Sequence, residues 1–184
     1  MKVINTLKKA VEELEKEKKF IFLIPEVRTN FVFAKKDFQD ILDVAGVEGR
    51  ITIVNKRPCA SGKIKFGASD HLARLLLAIK KYAPEYLSAI NFKFDQKILK
   101  AVKRVAKKRK LKIGVIDRRL EPKRIQKEEK MSIPWKVDYL YKKYKKIPQI
   151  FYETAGWGKE PLFVVLGKTP EEVFLIIKDI LKNL

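Results

Sequence analysis

A chain of 184 residues, 46% hydrophobic and 10% aromatic, is long enough for one domain with a substantial core. Lys and Arg number 42 against 22 Asp and Glu, a formal charge of +20 that draws anions and leaves small phosphates, nucleic acid and membrane surfaces as partner classes. Cys59 is the single cysteine and His71 the single histidine, which excludes an internal disulfide and a zinc site of the usual nitrogen and sulfur ligands; a metal here would be a hard cation held by oxygens.

No run of eighteen uncharged apolar residues occurs, and the opening MKVINTLKKAVEELEKEKK is amphipathic and charged rather than a signal peptide, so a cytoplasmic protein is expected. Leu7, Ala10, Val11 and Leu14 fall at helical spacing and predict a helix over 5–18, with Asn5 or Thr6 able to cap it. FIFLI, closed by Pro25, and the alternating NFVFA predict two strands flanking a turn over 25–29. KKDFQDILDVAGV reads as a polar helix, and GRITIVNK as a strand with Ile51 and Ile53 turned inward, after which the chain turns through RPCASGK. KIKF begins as a strand, passes Gly67 and Ala68, and enters a helix with the stripe Leu72, Leu75, Leu76 and Ile79, where Ser69 is the natural N-cap. AINFKFD alternates as a strand, Asp95 caps a helix over 96–110, and LKIGVID is a short buried strand; this order suggests a crossover unit. Residues 118–134, RRLEPKRIQKEEKMSIP, show no apolar period and read as an exposed loop or mobile segment before a helix from about 135 to 144. QIFYE and LFVVLG are strands around TAGWGKEP, and Thr169 with Pro170 opens a closing helix. Helices alternating with strands give one α/β domain over 1–184, its residues 1–19 forming an N-terminal amphipathic helix.

Three loops follow strands and set small residues beside charged or basic ones: GVEGRI, FGASDH and AGWGKEP. Glycine lets backbone N–H groups approach an oxyanion, and a helix amino end adds a partial positive charge, so each loop is a phosphate seat. Neither a Walker loop nor a dinucleotide fingerprint is present. His71 has two readings, a polar residue satisfied at a helix start or a ligand-facing group, and the basic run ILKAVKRVAKKRKLK reads as a solvated helix face.

DVAGVEGRI, FGASDHLARLLLA, INFKFD, IDRRLEP and GKEPLFVVLGKTPEEV occur in the order and approximate spacing of the ThiN domain, and from about Pro25 onward the chain resembles that family of thiamine-phosphate synthases. The resemblance implies a three-layer α/β/α fold with a mixed β-sheet, similar to class II (AraD-like) aldolases. It also implies the reaction: hydroxymethylpyrimidine diphosphate loses pyrophosphate and the ring nitrogen of hydroxyethylthiazole phosphate takes its place. The family's essential arginine and histidine fall on Arg50 and His71. Arg50 can fork onto two phosphate oxygens as charge accumulates there, and His71, with Ser69 and the first-turn N–H groups, can bind or protonate the bridging oxygen.

Asn30 and Asn91 are candidates to hydrogen-bond the aminopyrimidine, or else turn contacts; Arg118, Gly158, Lys159 and Glu160 are further substrate-binding candidates, with an exposed Lys159–Glu160 salt bridge as the other reading. Asp43 and Asp117 can coordinate Mg²⁺ on the pyrophosphate, or pair with Arg50 or Arg118. Trp157 can stack on a ring or serve as packing. Against the family pattern, Arg28 stands where glycine is common, Lys93 replaces an arginine and Glu153 an aspartate.

Three rivals remain to be weighed. A thiamine-phosphate-binding sensor of the same family would bind without catalysis, but retention of Arg50 and His71 favours the enzyme. A nucleic-acid binder needs a basic stripe interleaved with aromatics, and VKRVAKKRKLK has none. A class II aldolase needs a histidine-rich zinc site, and one histidine excludes it. The family also occurs behind a hydroxymethylpyrimidine phosphate kinase, for which the opening helix would serve as a junction, and fold relatives generally associate, so a homo-oligomer is open to this chain although its sequence does not set the oligomeric state.

Overall fold

The chain opens with α1 (Lys2–Lys16), which starts earlier than the spacing of its apolar residues suggests: Thr6 lies inside it and donates its hydroxyl to the Lys2 carbonyl at 2.9 Å rather than capping. In this computed structural model the described residues are 2–125, 129–156 and 158–184, with the backbone alone for 129 and 130. FIFLI is not a strand. Lys18–Leu23 form a 3₁₀ helix in which Phe20 and Leu23, one three-residue turn apart, are buried while Phe22 is 62% exposed.

The strands are β1 (Phe31–Ala34), β2 (Val44–Val47), β3 (Ile51–Val54), β4 (Arg57–Ala60), β5 (Ile64–Phe66), β6 (Ser88–Lys93), β7 (Ile113–Ile116), β8 (Ile150–Glu153) and β9 (Leu162–Gly167). The helix expected near 35–47 is only a 3₁₀ turn, Ile41–Asp43, leading into β2; all four residues of β2 are buried, so it lacks the alternation that marks a half-exposed strand. RPCA is β4 rather than a turn. It pairs with β3 in a hairpin whose bend is Asn55 and Lys56, both at positive φ (49° and 61°), as a two-residue type I′ connection requires. Because that hairpin stands apart from the main sheet, Ile51 is buried but Ile53 is 47% exposed.

The main sheet has seven strands in the order β5-β2-β1-β6-β9-β8-β7, antiparallel throughout except for the parallel pair β7–β8. It is a mixed sheet, and β6 and β7 run parallel with two strands between them, joined through α3 (Gln96–Arg109). Asp95 caps that helix by accepting from the Ile98 N–H at 2.8 Å, and Thr169 caps α5 (Pro170–Lys182) by accepting from the Glu172 N–H at 3.2 Å. Along β6 and β9 neighbouring side chains enter different apolar clusters. Ile90, Phe92, Phe163 and Val165 join α1, α3 and α5; Ala89, Val164 and Leu166 join α2 (Asp70–Lys80) and α4 (Glu129–Tyr144).

Residues 118–134 form the expected exposed segment only in part: Arg119, Leu120, Pro122, Lys123 and Arg124 are exposed, 126–128 lie outside the described residues, and the remainder departs from expectation. Arg118–Leu120 form a 3₁₀ turn, Arg118, Glu121 and Ile125 are buried, and α4 starts at Glu129, carrying Pro134 inside it at the cost of one intrahelical hydrogen bond.

Candidate functional site

A cavity of about 380 Å³ opens where the chain entering β1 and β3 and the amino end of α2 meet the ends of β7 and β8. Arg50 and His71 both line it, and so do Asn30, Ser69, Asn91, Arg118, Gly158, Lys159 and Glu160. Sequence motifs scattered over more than a hundred residues therefore meet in one place.

One wall is the start of α2, where Ala68, Ser69, Asp70, His71 and Leu72 all face the cavity. Ser69 holds the N-cap position and is 4% exposed, yet its hydroxyl makes no capping bond; an anion seated there would meet that hydroxyl and the positive end of the helix dipole. Asp70 turns along the helix to Arg74, with contacts of 2.8–2.9 Å.

A second wall is the chain leading into β1. The Asn91 side chain is spent on backbone: its Oδ1 accepts from the Asn30 N–H at 2.8 Å and its Nδ2 donates to the Arg28 carbonyl at 3.1 Å. Asn30 is different. Its Oδ1 is buried without a hydrogen-bond partner, and an acceptor so placed gains a full hydrogen bond when a ligand N–H arrives. Glu160 accepts from the N–H groups of Glu26 (3.2 Å) and Val27 (3.3 Å), so its role is to hold that turn rather than to pair with Lys159. Gly158 adopts φ 63°, which favours glycine, and the Gly156 and Lys159 backbones bond to each other at 3.1 and 3.2 Å, closing the loop that presents Lys159. Trp157 lies outside the described residues.

The floor is ionic. Glu153 receives Lys136 Nζ on both carboxylate oxygens (2.8 and 2.7 Å) and Arg118 Nη1 at 2.7 Å. Arg118 Nη2 in turn meets Glu121 at 2.9 Å, and Glu121 accepts the Ser132 hydroxyl. Burial pushes the Glu153 carboxyl up, but attraction and hydrogen bonding from Lys136, then attraction from Arg118, outweigh it, and Glu153 is held below the usual carboxylate range. Burial is also the main reason that Lys136 is lowered from the ordinary ammonium value, against the opposing pull of Glu153. Glu153 is thus an ionised acceptor inside the cavity and not a proton donor. Lys136 and Glu121 escape sequence reading because nothing distinguishes a buried Lys among 42 basic residues until its partners are seen.

Asp43 and Asp117 do not line the cavity. Asp43 accepts from the Gln39 and Asp40 N–H groups and pairs with Lys35 at 2.7 Å; led by the Gln39 contact, these hold it at about 2. Asp117 takes Arg119 on both oxygens at 2.9 and 2.6 Å, and that pairing holds it at about 2. Neither forms the expected pair with Arg50 or Arg118. Among the described residues no group of three or more His, Cys, Asp or Glu is placed to hold a metal, so this donor set does not make a Mg²⁺ cage.

The family model for thiamine-phosphate synthase ThiN matches residues 6–179. Over 180 residues the chain is 34% identical to thiamine-phosphate synthase ThiN of Methanothermobacter thermautotrophicus, covering 98% of this chain and 93% of that protein. It is 34% identical over 183 residues to the bifunctional thiamine biosynthesis protein ThiDN of Methanocaldococcus jannaschii, covering 98% of this chain and 41% of that protein. The crystal structure of the C-terminal domain of phosphomethylpyrimidine kinase matches with a TM-score of 0.92 at 39% identity, over 97% of this chain and 98% of that one. An l-fuculose-1-phosphate aldolase from Thermus thermophilus is similar in fold alone, with a TM-score of 0.50 at 13% identity over 96% and 92% of the two chains.

Proposed function

The chain belongs to the ThiN family of thiamine-phosphate synthases, and on that premise we propose that its cavity joins hydroxymethylpyrimidine diphosphate to hydroxyethylthiazole phosphate with Arg50 and His71 as the catalytic pair. The enzyme is a transferase of thiamine biosynthesis. The observation that carries the assignment of roles is that Arg50, His71 and the amino end of α2 line one cavity together with an unpartnered buried acceptor, Asn30 Oδ1.

In the reaction the bond between the pyrimidine methylene carbon and the diphosphate oxygen breaks, and its electron pair leaves on pyrophosphate. The thiazole nitrogen lone pair forms the new C–N bond and the positive charge passes to the thiazolium ring. Arg50 neutralises charge gathering on the departing oxygens, helped by Ser69 and the α2 dipole, while His71 binds or protonates the bridging oxygen. Asn30 Oδ1 and the ionised Glu153 are the acceptors for the amino group of the pyrimidine, and Asn91 holds Asn30 in place. Lys159 takes the phosphate of the thiazole partner. Arg118 supports the floor through Glu153. A divalent ion would enter on the diphosphate oxygens, since Asp43 and Asp117 are engaged elsewhere.

The apolar clusters on alternate sides of β6 and β9, one shared with α1, α3 and α5 and the other with α2 and α4, support the finer reading of three α/β/α layers. No helix of the described residues is long and apolar enough to cross a membrane. A cytoplasmic location and a homo-oligomeric state complete the proposal, the latter to be measured by sedimentation.

The test is to incubate purified protein with both substrates, with and without Mg²⁺, and follow thiamine phosphate in wild type, Arg50→Ala and His71→Ala. Losing the Arg50 contact costs about 2–4 kcal/mol of transition-state stabilisation, a fall of about 30- to 1,000-fold in rate. Undiminished turnover by either variant removes that residue from the catalytic role. Binding of thiamine phosphate with no synthesis by wild type would identify a sensor instead.

A further inference from the structure

Three cavity residues from separate parts of the chain grip the backbone of one turn. Glu160 accepts from the N–H groups of Glu26 and Val27, Arg50 Nη1 donates to the Val27 carbonyl at 2.5 Å, and Asn91 Nδ2 donates to the Arg28 carbonyl at 3.1 Å. The turn closes on itself through Arg28 N–H to the Pro25 carbonyl at 2.9 Å. Held this way, Arg28 adopts φ 66°, a left-handed conformation that costs any residue with a Cβ free energy and glycine almost none. Arg50, at φ 70°, is in the same condition. Strain of this kind persists where the surroundings enforce it, and it concentrates at ligand clamps.

Beside the main cavity lies a second, shallower one of about 380 Å³, lined by Glu26, Val27, Arg28, Gly49, Arg50 and Ala68. Val27, Arg50 and Ala68 belong to both, so Arg50 marks the seam between the two spaces. Among the described residues neither the Arg28 nor the Arg50 guanidinium pairs with a carboxylate, and the outer cleft is lined by two arginines against one acidic residue, Glu26. The outer cleft therefore carries net positive charge next to the place where the leaving group departs.

We propose that Arg28 is a specificity-determining residue that binds the distal phosphoryl group of the diphosphate substrate in this outer cleft, while Arg50 takes the proximal one at the seam. The chain then selects a pyrimidine diphosphate over its monophosphate because only the former reaches Arg28. A guanidinium suits this task because it can take two oxygens of one phosphoryl group at once. The assignment of the substrate rests on the synthase reading; the assignment of the polyanion site is tested apart from it.

Titration calorimetry of wild type, Arg28→Ala, Arg28→Gly and Arg28→Lys with pyrophosphate and with inorganic phosphate makes the test. Pyrophosphate affinity should fall about tenfold or more in the alanine and glycine variants and less in the lysine variant, while phosphate affinity stays within about twofold. Arg28→Gly should at the same time raise the melting temperature, because glycine accepts the left-handed backbone, so weaker binding cannot be assigned to a damaged fold. In turnover, KM for the pyrimidine diphosphate should rise with kcat and the KM of the thiazole phosphate little changed. Equal pyrophosphate affinity in all four proteins overturns the proposal, and so does an equal loss for pyrophosphate and phosphate, which would make Arg28 part of a general field. If pyrophosphate discriminates between the proteins as expected but wild type forms no thiamine phosphate, the synthase reading fails and the polyanion site stands.

Discussion

Replacing Glu153 by Gln removes the one carboxylate shared by two buried cations, Lys136 and Arg118, whose side chains are 4% and 3% exposed. Arg118 keeps Glu121 at 2.9 Å; no other carboxylate pairs with Lys136 among the described residues. Stranding one buried charge costs about 3–5 kcal/mol, and the cost is capped because Lys136 can shed its proton, which burial already loosens. Lys136→Met alone leaves Glu153 still bound to Arg118 at 2.7 Å, so its cost should be lower, about 1–3 kcal/mol. In the double variant neither charge is present, and its loss should be smaller than that of Glu153→Gln by itself, so that the coupling exceeds the whole Lys136→Met loss of about 1–3 kcal/mol. Denaturant unfolding of the four proteins at neutral pH measures this cycle. The pH dependence adds a sign. Lys136 has a folded pKa below its unfolded one, so the unfolded chain binds more protons between the two values and stability rises with pH there; removing Glu153 starts that rise at lower pH. A double variant whose loss equals the sum of the two single losses would refute the account of a shared ionic floor.

Ser69→Ala should leave stability within about 0.5 kcal/mol, because the hydroxyl makes no capping bond, while weakening substrate binding; titration and thermal melting together check it. Thr169→Ala, at a helix start where the cap is made, should cost about 1 kcal/mol. Acid should destabilise the protein through Asp43 and Asp117. Both are held at about 2, so their contribution is present above the unfolded value of 3.8 and is lost as pH falls toward 2. Asp43→Asn should flatten melting temperature against pH in that window, and an unchanged slope would show that the Lys35 and Gln39 contacts do not matter to folding.

Apolar spacing located α2, α3 and α5, which put their hydrophobic residues on a core face at the helical period, and apolar runs of strand-forming residues located β1, β6, β8 and β9. The same rule explains the failures. β2 is the short VAGV, whose small residues offer neither alternation nor a run of strand formers, and in Lys18–Leu23 the apolar run FIFLI reads as a strand because one buried pair three residues apart is too little to mark a helical turn. The catalytic candidates were legible for another reason. Arg50 and Ser69 to His71 lie in small-residue loops that mark a phosphate seat without specifying one, and it is the resemblance of GVEGRI and FGASDH to the family's motifs that singles out Arg50 and His71.

The cavity floor had no such local signature. Arg118, Glu121, Ser132 and Lys136 all fall within or beside the segment whose lack of apolar period suggests exposure, and all four are buried. A polar side chain is buried at tolerable cost only when it is paired, and the partner that makes this so, Glu153, lies 35 residues from Arg118 and 17 from Lys136. Periodicity along the chain detects burial in oil; it is blind to burial in a salt network assembled from distant segments. A charged stretch without apolar period that lies between phosphate-binding loops therefore has two structural outcomes, a solvated loop or the floor of the site. The sequence distinguishes them only through the complementary acids elsewhere: here Glu153, the residue whose departure from the family's aspartate already set it apart, is the one that holds both buried cations.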